Sequence, residues 1–116
     1  MGIKTEIIKV VGPIALQQAK KFWSKDHGSK VKEGAFKDCS IEMMGDEACI
    51  VVNENSGEIV SLTSEYVQSY TYVKQKERIA PNGIHTYYYY KIIFNDGRKS
   101  YVRMRKKYRN AMENYC

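Results

Sequence analysis

Cysteine, histidine and proline are scarce in this chain, and long apolar runs are missing. Its three cysteines, Cys39, Cys49 and Cys116, are odd in number and lack CxxC spacing. That excludes a disulfide framework or a zinc ribbon and fits reduced thiols in a cytoplasmic setting. Cys39 and Cys49 read as small apolar fillers on neighbouring strands. The two histidines, His27 and His85, sit beside turn signals with no carboxylate or cysteine at a ligand-like spacing, so they read as solvated turn residues and no metal site is expected. No stretch approaches the roughly 20 apolar residues of a membrane span. Lys4, Glu6 and Lys9 interrupt the first 16 residues, which lack a signal-peptide core and cleavage site. Glu6 stands where myristoylation prefers Ser or Thr, and Cys116 in last place leaves no prenylation box. Neither membrane insertion nor a lipid anchor is expected.

Catalytic signatures are missing too. There is no phosphate-cradling glycine loop and no GxSxG elbow. Asp46-Glu47 is an acidic pair without the further ligands of a calcium loop or the second carboxylate of a glycosidase. The sequence therefore predicts a protein that is not an enzyme and needs no cofactor.

What is present is ordinary globular material. A chain of 116 residues, 43% hydrophobic and 28% charged, can bury roughly two-thirds of its unfolded surface in one core. The net charge of +6 is unevenly spread. Residues 1–25 hold five lysines and one glutamate, residues 26–65 three lysines against nine acids, and residues 66–116 eleven bases against three acids. Within residues 98–109, seven bases (Arg98, Lys99, Arg103, Arg105, Lys106, Lys107, Arg109) occur with no acid, enough for a local positive potential.

Gly12-Pro13 opens a short helix, since proline suits the first helical position. Over residues 14–25 the apolar Ala15, Leu16, Ala19, Phe22 and Trp23 recur at three- and four-residue steps, until Asp26-His27-Gly28 stops the helix. Before it, residues 3–10 are β-branched but alternate poorly, leaving strand and coil equally open. Residues 29–34 read as a polar link. From residue 35 the period becomes two: Ala35, Cys39, Ile41 and Met43 alternate with Phe36, Asp38, Ser40 and Glu42. Gly45-Asp46 and Asn55-Ser56-Gly57 are turns around a strand at 48–53, with another at 58–62. Strand formers return over 66–76, Pro81-Asn82-Gly83 reverses the chain, and 86–94 and 99–103 flank the hairpin signal Asp96-Gly97. Finally Met104, Tyr108, Ala111, Met112 and Tyr115 fall on one side of a helix.

These features predict an α+β fold. It is a mainly antiparallel β meander of about six strands, with an N-terminal helix and a capping C-terminal amphipathic helix. No linker divides the chain, so a single domain over 1–116 is expected, with 1–34 as an N-terminal helical extension and 35–116 as the meander plus helix.

The order Ala48-Cys49-Ile50-Val51-Val52, Asn55-Ser56-Gly57, Ile59-Val60-Ser61-Leu62, then residues 64–70 and Ile92-Ile93-Phe94-Asn95-Asp96-Gly97 into the last helix, resembles the pleckstrin-homology superfold in its small bacterial and GRAM-like versions. The resemblance spans about residues 35–115 and implies a barrel or sandwich acting as a binding module. Six strands are readable where that superfold has seven, and it has no helix like that at 14–25. Residues 41–54 are acidic where phosphoinositide-binding members are basic, so headgroup binding is not carried over.

Two candidate surfaces emerge. In the run Tyr87-Tyr88-Tyr89-Tyr90, alternation puts Tyr88 and Tyr90 with Ile92 and Phe94 on the core face, and Tyr87 and Tyr89 on the other. The second pair either makes cross-strand aromatic contacts or, beside Tyr70 or Tyr72, forms an aromatic patch for a protein or peptide partner. The basic segment, through Arg103, Arg105, Lys106, Lys107 and Arg109, is either a solvated helix face or a contact for nucleic acid phosphates. A protein-binding module is the first expectation and a small basic nucleic-acid-associated protein the alternative.

Overall fold

The alternating segments pair into two antiparallel sheets. A computed structural model describes residues 7–20 and 28–116. In them the chain runs β1 (Lys9–Val10), α1 (Pro13–Lys20), β2 (Lys30–Gly34), β3 (Ile41–Met44), β4 (Glu47–Asn53) and β5 (Glu58–Ser61). It continues through β6 (Val67–Ala80), β7 (Gly83–Phe94), β8 (Lys99–Met104) and α2 (Lys106–Tyr115). One sheet has the order β1-β5-β4-β3 and the other β2-β8-β7-β6. The α+β class and the antiparallel character are as expected. The strand count is not: eight strands, rather than about six, occur among the described residues, and the two sheets do not close into a barrel.

The differences have local causes. Residues 30–34, read as a polar link, form β2, an edge strand that buries Val31 alone. A strand with one apolar anchor carries no period to detect. The strand expected from residue 35 starts later, because residues 35–38 form a turn with Phe36 and Asp38 at φ 62° and 69°. Phe36 mimics a strand residue by packing edge-on against Phe94, ring centroids 5.7 Å apart. The reversal after β7 is the three-residue loop Asn95-Asp96-Gly97, not a two-residue turn. Phe94 N–H donates across it to Arg98 O at 2.9 Å, and Gly97 takes the left-handed conformation. Helix α1 follows Pro13 as expected. The expected helical residues 21–25, the stop at Asp26-His27 and residues 3–6 lie outside the described residues.

The inner faces of the two sheets share one core, including Val31, Ile41, Ile50, Val60, Leu62, Tyr90, Ile92, Phe94 and Val102. Helix α2 closes it, lying against β3 and β4 of one sheet and β7 and β8 of the other, with Tyr108, Ala111 and Met112 buried. Met104 belongs to β8 rather than to the helix, but joins the same core. Both helix ends are tied down. Arg105 N–H donates to the buried Ser29 Oγ at 3.0 Å, and Ser64 N–H donates to Tyr115 O at 2.7 Å. Between them the buried Tyr90 hydroxyl donates to Glu113 Oε1 at 2.8 Å. Tyr115, expected on the apolar stripe, is exposed and hydrogen-bonds the Asp46 carboxylate.

Helix α1 has a purpose of its own. Leu16 packs with Cys49, Val51 and Ile59 in a second cluster on the outer face of the first sheet. That sheet is thus apolar on both sides, which explains why Ala48 to Val51 are all buried instead of alternating. The link before α1 sits tightly on the β4–β5 turn. Val11 N–H donates to Gly57 O at 2.9 Å, and a Cβ on Gly57 would stand 2.3 Å from the Gly12 backbone. No described helix is long and apolar enough to cross a membrane.

Candidate binding face

Among the described residues, the second sheet is covered by other secondary-structure elements on one side only. Its inner face meets the core, whereas no described helix packs on its outer face. Register decides what that face displays. Tyr87 lies opposite Lys76, Tyr89 lies between Lys74 and Arg103, Lys91 between Thr71 and Tyr101, and Ile93 between Ser69 and Lys99. Paired residues share a face, and β2 adds Lys30 beside Arg103 and Glu33 beside Tyr101. Arg78, opposite His85, extends the row along β6.

Seven bases (Lys30, Lys74, Lys76, Arg78, Lys91, Lys99 and Arg103) therefore project from this face, with Glu33 as its acid. Glu33 is engaged by Lys37 at 3.7 Å. Among the described residues, no carboxylate lies within ion-pair distance of Lys74, Lys76, Arg78, Lys91 or Lys99. Acids cluster instead on the first sheet and its turns, at Glu42, Asp46, Glu47, Glu54 and Glu58. The acids of the middle segment and the bases of the last segment thus fall largely on different sheets, and the basic sheet attracts an approaching anion.

The tyrosines of this face support the cations. Tyr89 stacks on Tyr101 with centroids 5.7 Å apart, and the Lys74 and Lys76 ammonium groups stand 5.0 and 5.9 Å from its ring. Arg103 and Arg105 lie 4.9 and 5.5 Å from the Tyr87 ring. Arg103 Nε also donates to Gly28 O at 2.7 Å. These contacts hold long side chains over aromatic faces without removing their charge. The rings themselves are largely covered. Tyr89 is only 9% exposed, and Gly28 lies so close to Tyr87 that a Cβ there would stand 2.4 Å from its ring. Near the open end of the sheet, a shallow cleft of about 390 Å³ is lined by Glu33, Thr71, Lys91, Ile93, Lys99 and Tyr101.

Of the residues singled out in the sequence, Tyr87, Tyr89, Arg103 and Arg105 come together. Lys106 and Lys107 are exposed in the first turn of α2. Arg109 is on the other side of the sheet, 4.2 Å from the Tyr88 ring. Tyr70 and Tyr72 do not join Tyr87 and Tyr89. They share the inner face with Tyr90, ring centroids 5.9 and 5.7 Å from it. An accessible patch of Tyr87 and Tyr89 beside Tyr70 or Tyr72 is therefore not formed. Lys99 belongs to the basic segment at 98–109, whereas Lys74, Lys76, Arg78, Lys91 and Tyr101 are not marked by the sequence as site residues; the alternate spacing of Lys74, Lys76 and Arg78 is their one readable signal.

The thiols are removed from this face in location and in reactivity. Burial, reinforced by Glu42 and Glu47, pushes the Cys49 thiol up to about 12, and burial pushes Cys116 up to about 11. Cys116 Sγ donates to Leu62 O at 3.4 Å. Such thiols carry almost no thiolate near neutrality. Among the described residues no group of three or more His, Cys, Asp or Glu side chains could hold a metal ion. Comparison with protein families, curated proteins and solved structures finds no match for the chain.

Proposed function

We propose that this is a non-catalytic, pleckstrin-like binding module that holds the phosphate backbone of a nucleic acid on the outer face of the second sheet. The observation that carries the reading is the row of cations without carboxylate partners among the described residues, at Lys74, Lys76, Arg78, Lys91 and Lys99. Neutralising phosphates with lysine and arginine releases condensed counterions and gives sequence-independent affinity. Side chains two apart on a strand are about 7 Å apart and strands about 4.8 Å apart. The cations thus form a two-dimensional grid suited to a charged polymer rather than a point site. A peptide partner would use an aromatic patch or a strand edge: Tyr87 and Tyr89 present little free ring for the first, and β6 is the edge strand for the second. The cleft between Lys91 and Lys99 offers one nucleotide unit a recess, with Tyr101 as its partly exposed floor.

The test is fluorescence anisotropy with labelled 20-nucleotide single strands and duplexes at 50 to 200 mM NaCl. Engagement of five phosphates on a duplex gives a slope of log K on log salt of about −4.5, or roughly 500-fold weaker binding across that range. The triple variant Lys74→Ala, Lys91→Ala, Lys99→Ala should flatten the slope by about 2.7. Lys106→Ala with Lys107→Ala, off the sheet face, should change it far less. Absence of binding to either nucleic acid at 50 mM salt overturns the proposal, as does a triple variant that binds like the parent. Saturable binding of a defined peptide instead, along the free edge of β6, would restore the protein-partner reading.

A further inference from the structure

The hairpin formed by β6 and β7 is longer than the sheet that supports it. Strand β8 accompanies β7 only from Tyr88 to Ile93, while the β6–β7 ladder continues to Ala80 opposite Gly83. Beyond the Gln75–Tyr88 pair no third strand among the described residues flanks the ribbon, which is five residues long on β6 and about 17 Å in length. Arg103, Arg105 and Gly28 reach its first outward ring, Tyr87. The ribbon contributes to a molecule 53 Å long in its greatest dimension and 24 Å in its least.

Its two faces differ. Lys74, Lys76 and Arg78 lie on the face continuous with the basic sheet. The opposite face carries Gln75 and Glu77 and then, at the tip, the cross-strand pair Ile79 and Ile84, which are 86% and 65% exposed. Pro81 makes the turn between them. Isolated two-stranded ribbons are marginal in water, and two isoleucines side by side in solvent add nothing to this one.

We infer that the ribbon is an arm that enters a groove of duplex nucleic acid, with Lys74, Lys76 and Arg78 on phosphates and the Ile79–Ile84 tip wedged against a base step. This rests on the nucleic-acid reading above and deepens it by naming a duplex, and a deformed one, as the partner. The argument is geometric. A flat lipid surface can be touched by one face of a ribbon at a time, and here cations and apolar side chains point to opposite faces. A groove encloses a ribbon on both faces, and duplex grooves accept two-stranded ribbons. Apolar side chains at such places insert between base pairs and kink the duplex. Glu77, the arm's acid, lies on the isoleucine face, apart from the cations that meet the phosphates.

The experiment uses the full chain and a 20-base-pair duplex with a central TA step, a fluorophore at each end, in 50 mM NaCl, beside the matching single strand and vesicles containing phosphatidylserine. The arm variant is Ile79→Thr with Ile84→Thr, which keeps β-branched residues at exposed positions and should match the parent in circular dichroism and melting. The parent should raise energy transfer between the duplex ends. The variant should lose that change and bind the duplex about tenfold more weakly, with single-strand affinity altered less than twofold. Should the variant misfold, Arg78→Ala with Lys76→Ala reports on the same arm and must lower duplex affinity more than single-strand affinity. A duplex bound without bending, or bent equally by the variant, overturns the arm and leaves the basic-face proposal standing. Failure to bind either nucleic acid removes both. Capture by the vesicles that the isoleucine substitutions abolish, with no duplex binding, assigns the tip to lipid and overturns the inference.

Discussion

Replacing Met112 by alanine tests whether α2 is the element that joins the two sheets. Met112 is fully buried, and the helix contacts strands of both sheets. Truncation removes three heavy atoms from a site walled by rigid strands on two sides, so the cavity can collapse only in part. Such Met-to-Ala changes cost about 2 to 5 kcal/mol, and a site between two sheets belongs near the middle, about 3 kcal/mol. For a chain of this size that corresponds to a fall of roughly 12 °C in melting temperature. In urea the midpoint should drop while the slope of free energy against denaturant stays constant, because the surface exposed on unfolding is unchanged. Met112→Asp should be worse, since it adds an unpaired buried charge. One turn further on, Tyr115→Phe removes a hydroxyl at the surface and should leave the melting temperature nearly where it was. The reasoning is refuted if Met112→Ala melts within about 3 °C of the parent, or if Tyr115→Phe matches its loss.

Burial and its bond to Glu113 push the Tyr90 phenol up to about 12. The folded state therefore keeps this proton longer than the unfolded chain, whose tyrosines titrate near 10. Stability from this group is complete below pH 10 and declines as pH rises toward 12. Urea melts of parent and Tyr90→Phe at pH 9 and 11.5 should show the steeper alkaline loss in the parent. Gly57→Ala places a side chain against the Gly12 backbone at a φ of 77°, so thermal melts should reveal a loss of about 2 kcal/mol or more. With its thiol raised to about 12, Cys49 should resist iodoacetamide at pH 8 until denaturant is added. Labelling followed by peptide mass spectrometry reads this directly, and rapid native modification would contradict its burial.

The parts of the fold legible in the sequence were those whose pattern is local. Alternation through residues 86–94 placed Tyr88 and Tyr90 inward and Tyr87 and Tyr89 outward, and the helical spacing of Tyr108, Ala111 and Met112 marked the lid. Short edge strands were less legible: residues 3–10, which hold β1, are β-branched but alternate poorly, and β2 has too few apolar residues to show a period. The role of α1 was hidden, although the unbroken apolar run Ala48 to Val51 is what a sheet covered on both sides requires. The candidate face was visible only in fragments. Tyr87 and Arg103 stand out separately in the sequence, whereas their union with Lys74, Lys91 and Tyr101 depends on pairing registers among three strands. Bulges decide part of that register, and nothing in the local composition of β6 announces them.

Those bulges have a bearing on how the molecule behaves in a concentrated solution. The outer margin of β6 has no neighbouring strand among the described residues, and its ladder slips between Val67 and Ser69 and again between Tyr72 and Lys74. A second molecule trying to zip along that margin meets two interruptions and a row of like charges. Fibrous stacking along the margin of the long β6–β7 hairpin is thereby discouraged at its first step.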